Sequence, residues 1–290
     1  MTVKGIDVSQ WQGNIDFNKV KSAGYRFVII RCNNWSDQYN GVVKDTCFES
    51  NYRKAKAAGL DVGIYYFTWN TDAAGAKHDA ELCKEYIKGK TFEYPVYFDL
   101  EWYKAFARGK TVCSEMVKAF CDTMEKAGYF AGLYISRSPL QQYITPEVAQ
   151  RYALWIAEYG SKCNYNGTYG MWQYTSEGSV LGIQNNCDLD ICYVDYPKII
   201  KEKGLNGYKK AVLDKAGFKS GDKSLGVLTL KQMLELARIK GMTSADFDAS
   251  HSSFAAGTEK AVNDILTKWG YQPNGIAGEN FIKELTNSLK

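Results

Sequence analysis

The feature that most constrains this 290-residue chain is a rhythm in its first 155 residues, where short apolar runs alternate with amphipathic stretches that stop near a glycine. Strands are expected at 4–9 (KGIDVS), 26–32 (RFVIIRC), 61–67 (DVGIYYF), 95–101 (PVYFDLE) and 131–136 (AGLYIS), with helices near 16–23, 45–58, 75–88 and 112–127. Gly24, Gly59, Gly89 and Gly128 follow those helices, where a residue without Cβ closes the last turn at positive φ. Repeated βα units on short links require a parallel sheet, closed or open.

The rhythm then changes. Runs at 153–158 (ALWIAE), 170–175 (GMWQYT) and 187–193 (CDLDICY) still read as strands, but the Gly/Asn/Ser-rich links between them carry no helical period. Eight strands with helices mainly around the first five fit a TIM-like α/β barrel better than an open doubly wound sheet. No glycine-rich phosphate loop follows any strand, which disfavours nucleotide binding. From about residue 222 the chain reads as three small helices, TLKQMLELARIKG, GTEKAVNDILTKWG and AGENFIKELTNSLK. The expected organisation is a catalytic barrel over 1–204, a linker over 205–221 and a small all-α domain over 222–290.

Composition removes several function classes. The chain up to residue 204 holds 24 Lys+Arg against 23 Asp+Glu, and the remainder 12 against 9, so neither part has the basic excess of a nucleic-acid binder. No apolar run is long enough to span a bilayer, and no membrane partner is expected. Met1 to Ser9 contain no apolar signal core, so the chain reads as made in the cytoplasm without a signal peptide. The eight cysteines, Cys32, Cys47, Cys83, Cys113, Cys121, Cys163, Cys187 and Cys192, form no CxxC pair. Buried, reduced thiols are favoured over disulfides, and no metal or cofactor is called for.

Chemistry concentrates at 95–101. Alternate strand residues face opposite ways, so Val96, Phe98 and Leu100 pack outward under the helices while Tyr97, Asp99 and Glu101 point inward. Acids on the inner face at the C-terminal end of a barrel strand stand where such barrels hold catalytic groups. The opposing reading is a structural ion pair with a residue such as Arg31. The same alternation turns Asp7 inward on the first strand, and Asp188 and Asp190 on the last. If those two strands close the barrel, four or five acids converge on one mouth. Repulsion and desolvation then raise at least one carboxyl, as glycosidic bond cleavage requires. Tyr65, Phe67, Tyr134, Trp172 and Tyr174 are expected on the inner face, with Trp69 and Trp102 at strand ends. Aromatic faces stack on the C–H faces of sugars, so the set suggests a carbohydrate cleft.

These motifs carry a family resemblance. GIDVSQWQG near the start, GIYYF at 63–67, YFDLEW at 97–102, LWIAEY at 154–159, WQYTSEGSVLGI at 172–183 and CDLDICY at 187–193 resemble, in order, the glycoside hydrolase family 25 lysozymes. The resemblance covers about residues 3–197. It implies a (β/α)5(β)3 barrel, and hydrolysis of the β-1,4 bond between N-acetylmuramic acid and N-acetylglucosamine in bacterial peptidoglycan. It implies Glu101 as general acid, Asp99 as the partner that steadies a charged intermediate, and Asp7 and Asp188 as the rest of the acidic set. Asp190 takes a position where the family often has Asn. The tail is similar to a small three-helix peptidoglycan-binding domain, although Asn274-Gly275 replaces its usual Asp-Gly.

The strand spacing places Cα atoms i and i+2 about 6.5–7 Å apart, so the Asp99–Glu101 carboxyl gap is expected to exceed the ~5–5.5 Å of a direct nucleophile pair. A substrate-assisted retaining route follows, in which the 2-acetamido group attacks. The rival readings are a metal-dependent hydrolase and a non-catalytic sugar-binding module. The missing leader and the thiols lean towards a phage or prophage lysin that acts on the cell wall.

Overall fold

The computed structural model of the protein describes residues 2–290. Its strands are β1 (Val3–Val8), β2 (Phe27–Arg31), β3 (Asn33–Ser36), β4 (Gly41–Lys44), β5 (Asp61–Phe67), β6 (Val96–Asp99), β7 (Ala131–Ser136), β8 (Ala153–Ala157), β9 (Met171–Gly178) and β10 (Cys187–Cys192). Its helices are α1 (Phe17–Ser22), α2 (Phe48–Ala58), α3 (Ala73–Ile87), α4 (Tyr103–Phe106), α5 (Gly109–Lys126), α6 (Arg137–Tyr143), α7 (Pro146–Arg151), α8 (Tyr196–Lys203), α9 (Leu225–Ile239), α10 (Ala256–Lys268) and α11 (Glu279–Leu289). Two compact units result, one up to Ile200 and one over Lys201–Lys290. No helix among the described residues is long and apolar enough to cross a membrane.

The first unit is a closed barrel in the order β1-β10-β9-β8-β7-β6-β5-β2. Every neighbouring pair is parallel except those made by β10, which runs antiparallel to both β1 and β9. Helices follow the first five barrel strands, and none lies between β8 and β10. The outward residues Ile6, Val28, Ile30, Val62, Ile64, Val96 and Phe98 join Phe17, Phe48, Ala80 and Phe120 in one apolar layer. Phe98 stacks on Phe120 at 4.7 Å between centroids. Burying this layer is the main force holding helices to sheet.

Aromatic rings fill the lower barrel. Phe27 stacks on Tyr94 at 4.3 Å, and Tyr94 meets Tyr196 edge-on at 5.9 Å. Glycines make room for them: a Cβ on Gly5 would lie 2.2 Å from the Phe27 ring, and one on Gly132 would lie 2.6 Å from Tyr97. The floor is thus packed, and a cavity that includes Asp7, Asp99 and Tyr134 lies near the C-terminal rim of the parallel strands.

Two local features depart from the expected elements. A β3–β4 hairpin intervenes between β2 and α2. Its sequence signal is the Asn40-Gly41 pair, with Asn40 at φ 45° in the turn. Short helices α6 and α7 follow β7, the second started by Thr145, whose hydroxyl accepts from Val148 N, with Pro146 at the first position.

The second unit packs α9, α10 and α11 around Leu230, Leu234, Val262, Ile265, Phe281 and Leu285. The stretch expected as a linker, 205–221, is part of this unit. Leu213 and Phe218 pack against its core, and Phe218 pairs with Ala277 in an antiparallel bridge. The Asp214 carboxylate accepts from Asn280 N and Phe281 N, satisfying donors at the start of α11 that Gly278 has no side chain to reach. The boundary falls at Ile200 rather than 204, within α8.

Candidate active site

The reversed direction of β10 organises the site. Its N-terminal end, not its C-terminal end, reaches the rim where the parallel strands finish. Asp188 is therefore the register partner of Asp7, while Asp190 pairs with Gly5 one layer deeper. From the opposite wall β6 ends at Asp99, and Glu101 lies two residues beyond it, exposed at the rim.

Asp7, Asp99, Glu101 and Asp188 enclose a cavity of about 150 Å³ together with Tyr65, Tyr134, Trp155, Tyr159 and Gln173. Gln173 is its hub. Gln173 Nε2 donates to Asp7 Oδ2 at 2.8 Å, and Gln173 Oε1 accepts from the Tyr134 hydroxyl at 2.8 Å and the Tyr159 hydroxyl at 3.3 Å. Trp155 supports the acids from below. Its ring lies 4.4 Å from Tyr134 and 5.2 Å from Tyr97, and its Nε1 donates to Asp190 Oδ1 at 2.8 Å.

The acids raise one another. Burial pushes the Asp7 carboxyl well up, and the charges of Asp188 and Asp190 add to this against the Gln173 hydrogen bond. Burial pushes Asp188 up to about 6. Burial and the Asp188 charge raise Asp190, opposed by its bonds to Trp155 and Asp7. Burial and the Glu101 charge raise Asp99. Protein crowding on the cavity side raises Glu101 as well, opposed by its hydrogen bond with Asp99 and by the Arg31 charge. Asp99 Oδ1 and Asp190 Oδ2 meet no N–H or O–H donor. Each belongs to a carboxyl whose ionisation is coupled to another acid, Glu101 for Asp99 and Asp7 for Asp190.

Several expectations change. Glu101 lies beyond the end of β6 at Asp99, so the strand pleat does not set its direction, and the two carboxyls affect one another's ionisation. Trp172 and Tyr174 do not face the cavity. Gln173 takes the inner face of β9, so its neighbours turn outward; Trp172 is buried in the outer apolar layer, with its Nε1 donating to Glu158 O at 2.8 Å. Asp190, 0% exposed, lies beneath the cavity and cannot touch a ligand; it supports Asp7 instead. Phe67 stands at the rim against Trp69 and the Arg31 guanidinium, and Trp102 lines an adjoining depression. Tyr65 and Tyr134 line the cavity as expected. Arg31 lowers both central acids through its field, while its Nε donates to the Asn33 carbonyl.

Trp155, Tyr159 and Gln173 were not singled out from the sequence. Strand alternation carried a signal for two of them. Leu154 and Ile156 face outward, which turns Trp155 inward, and Gln173 is the lone polar residue between two aromatics. A larger depression of about 470 Å³ beside α1 holds one acid, Asp16, whose carboxylate caps that helix.

Residues 6–183 match the family model described as glycosyl hydrolases family 25. The chain belongs to this family. It is a glycoside hydrolase of the lysozyme kind. This family 25 chain is 28% identical over 294 residues to the autolytic lysozyme of Clostridium acetobutylicum, across 98% of its own length and 81% of that protein's. Its fold is similar to that of the modular autolysin LytC from Streptococcus pneumoniae in complex with a synthetic peptidoglycan ligand, with a TM-score of 0.59 and 26% identity. That match covers 66% of this chain and 47% of LytC, so this chain spans about half of it. The CTP1L endolysin has a similar fold at TM-score 0.59 and 23% identity, over 86% of this chain and 85% of that one.

Proposed function

We propose that this family 25 hydrolase is an endo-acting muramidase that cuts the β-1,4 bond between N-acetylmuramic acid and N-acetylglucosamine in bacterial peptidoglycan. The observation that carries this reading is the convergence of Asp7, Asp99, Glu101 and Asp188 on one cavity, with the Asp99 and Glu101 carboxyls both raised. Glu101, the exposed member, gives its proton to the glycosidic oxygen as the bond to the anomeric carbon breaks. Asp99 and Glu101 come from the same strand end, so they approach that bond from one wall of the cavity and are read as an acid and a stabilising charge, not as an acid and a nucleophile on opposite faces. The 2-acetamido carbonyl oxygen then forms the new bond to the anomeric carbon, and Asp99, Asp7 and Asp188 stabilise the resulting cation. Water opens this oxazolinium species with retention and returns a proton to Glu101.

Tyr65 and Tyr134 supply ring faces to the bound sugar, and the second unit is read as a wall-binding module on its three-helix form. The site of action is the bacterial cell wall. Mass spectrometry of peptidoglycan digests tests the bond: reducing muramic-acid ends are expected, and reducing glucosamine ends or free peptides would sink the proposal. Proton NMR of the first-formed anomer tests the route, since an initial α product excludes retention.

A further inference from the structure

A second depression, of about 370 Å³, is walled by Trp35, Trp69, Thr71, Trp102 and Lys104. Three separate elements bring its tryptophans together: the β3–β4 hairpin carries Trp35, the end of β5 leads to Trp69, and Trp102 directly follows Glu101. Trp35 is 41% exposed. Its Nε1 donates to Asp37 Oδ1 at 3.2 Å, which steadies the ring within its own hairpin. Trp69 lies 5.8 Å from Trp35 and 4.6 Å from Phe67, and Phe67 is the register partner of Asp99. Trp102 follows Glu101 in the chain and Phe67 links Trp69 to Asp99, so the depression lies beside the acid cavity.

Its charge is opposite to that of the cavity. Lys104 Nζ stands 5.3 Å from the centre of the Trp102 ring and makes no ion pair among the described residues. The Arg31 guanidinium lies 5.4 Å from the Trp69 ring, between this depression and the carboxyls. A neutral sugar needs the tryptophan faces but has no use for an unpaired ammonium beside them. An anionic substituent is repelled by the acid cavity and attracted to the tryptophan side.

We infer that the Trp35–Trp69–Trp102 groove is a glycan subsite for a sugar that carries a peptide stem, with Lys104 facing a stem carboxylate. The inference rests on the muramidase reading for its substrate class. It also gives the substrate a direction in the cleft, because the stem leaves on the cationic side.

The test uses the full chain carrying Glu101→Gln, and titration calorimetry with soluble peptidoglycan strands that bear stems or have had them removed by an amidase. Amidase cleavage turns the lactyl amide that held the stem into a free carboxylate, so stem-free strands present an anion on the sugar itself and separate it from the carboxylates of the stem. Lys104→Glu is expected to weaken binding of stem-bearing strands about threefold to tenfold and to leave stem-free strands within about twofold. Lys104→Arg is expected to keep the parent affinity. Trp35→Ala is expected to weaken both ligands about fivefold. Equal losses on both ligands for Lys104→Glu would overturn the stem assignment, and unchanged binding by Trp35→Ala would overturn the groove. Hydrolysis by the parent protein is scored separately, so a failure to release muramic-acid ends would remove the muramidase reading while the binding data still decide the groove.

Discussion

Asp7 and Asp188 are register partners across the seam where β1 and β10 close the barrel. Backbone pairing, not any attraction between them, holds these two carboxyls side by side. The Asp188 charge raises the cost of ionising Asp7, and burial raises both carboxyls. A barrel closed by a parallel eighth strand would bring a different end of CDLDIC to the rim.

Glu101→Gln removes the proton donor but keeps the side-chain shape. Wall lysis, followed as the fall in turbidity of a cell-wall suspension, is expected to drop by about 10²–10⁴-fold. The melting temperature should not fall, because an acid in a crowded negative cavity is replaced by a neutral group. Unchanged lysis would contradict the assigned role.

Asp188 makes stability depend on pH with a defined sign. Its unfolded value is about 3.9, and in the fold it is pushed up to about 6. The folded state binds this proton more tightly, so the contribution is full below about pH 4 and is lost as pH rises through about 6. Asp188→Asn does not suffer that loss. Relative to the parent it should gain about 1–2 kcal/mol between pH 4 and pH 7, allowing for its partial contact with solvent. Urea unfolding at the two pH values measures this, and a gap that narrowed with rising pH would reverse the argument.

Asp190→Asn keeps an acceptor for Trp155 Nε1 and can turn an N–H towards Asp7. That donor favours the Asp7 anion, so the Asp7 carboxyl should fall. The kcat/KM profile is expected to move to lower pH by roughly one unit, with kcat at the optimum changed by less than about tenfold. Asp190→Ala differs. It strands the buried indole N–H and should cost about 1–3 kcal/mol in denaturant unfolding. A profile unmoved in the Asn variant would detach Asp190 from Asp7.

Gln173→Leu keeps similar bulk but removes the donor to Asp7 and the acceptor for Tyr134 and Tyr159. The buried Tyr134 hydroxyl is left without its partner, at about 1–3 kcal/mol of stability. Asp7 loses a bond that lowers its carboxyl, so its ionisation should move to higher pH. A kcat/KM profile shifted to higher pH, together with a lower melting temperature, is the expected result.

Much of the barrel was written in local patterns. In PVYFDLE the contrast between Val96, Phe98 and Leu100 and the residues between them assigns each side chain a face, so Asp99 and Glu101 could be paired from the sequence. WQYTSE lacks that contrast, since aromatics, glutamine and threonine suit either face. There two irregularities in the β9–β10 pairing, between Cys187 and Leu189 and between Leu189 and Asp190, break any simple count along the sheet.

The sequence by itself determined the eight barrel strands, the main helices and which acids sit on inner faces, because periodicity is a local property of the chain. Only the tertiary structure decided how those acids are used. The antiparallel return of β10 put Asp188 at the rim and Asp190 below it. The end of β6 at Asp99 left Glu101 at the rim, where its ionisation is coupled to that of Asp99. Packing of Trp155 and Gln173 under the cavity chose the partners of Asp190 and Asp7. Depth, direction and the coupling of charges across the barrel arise between distant segments, and no local pattern encodes them.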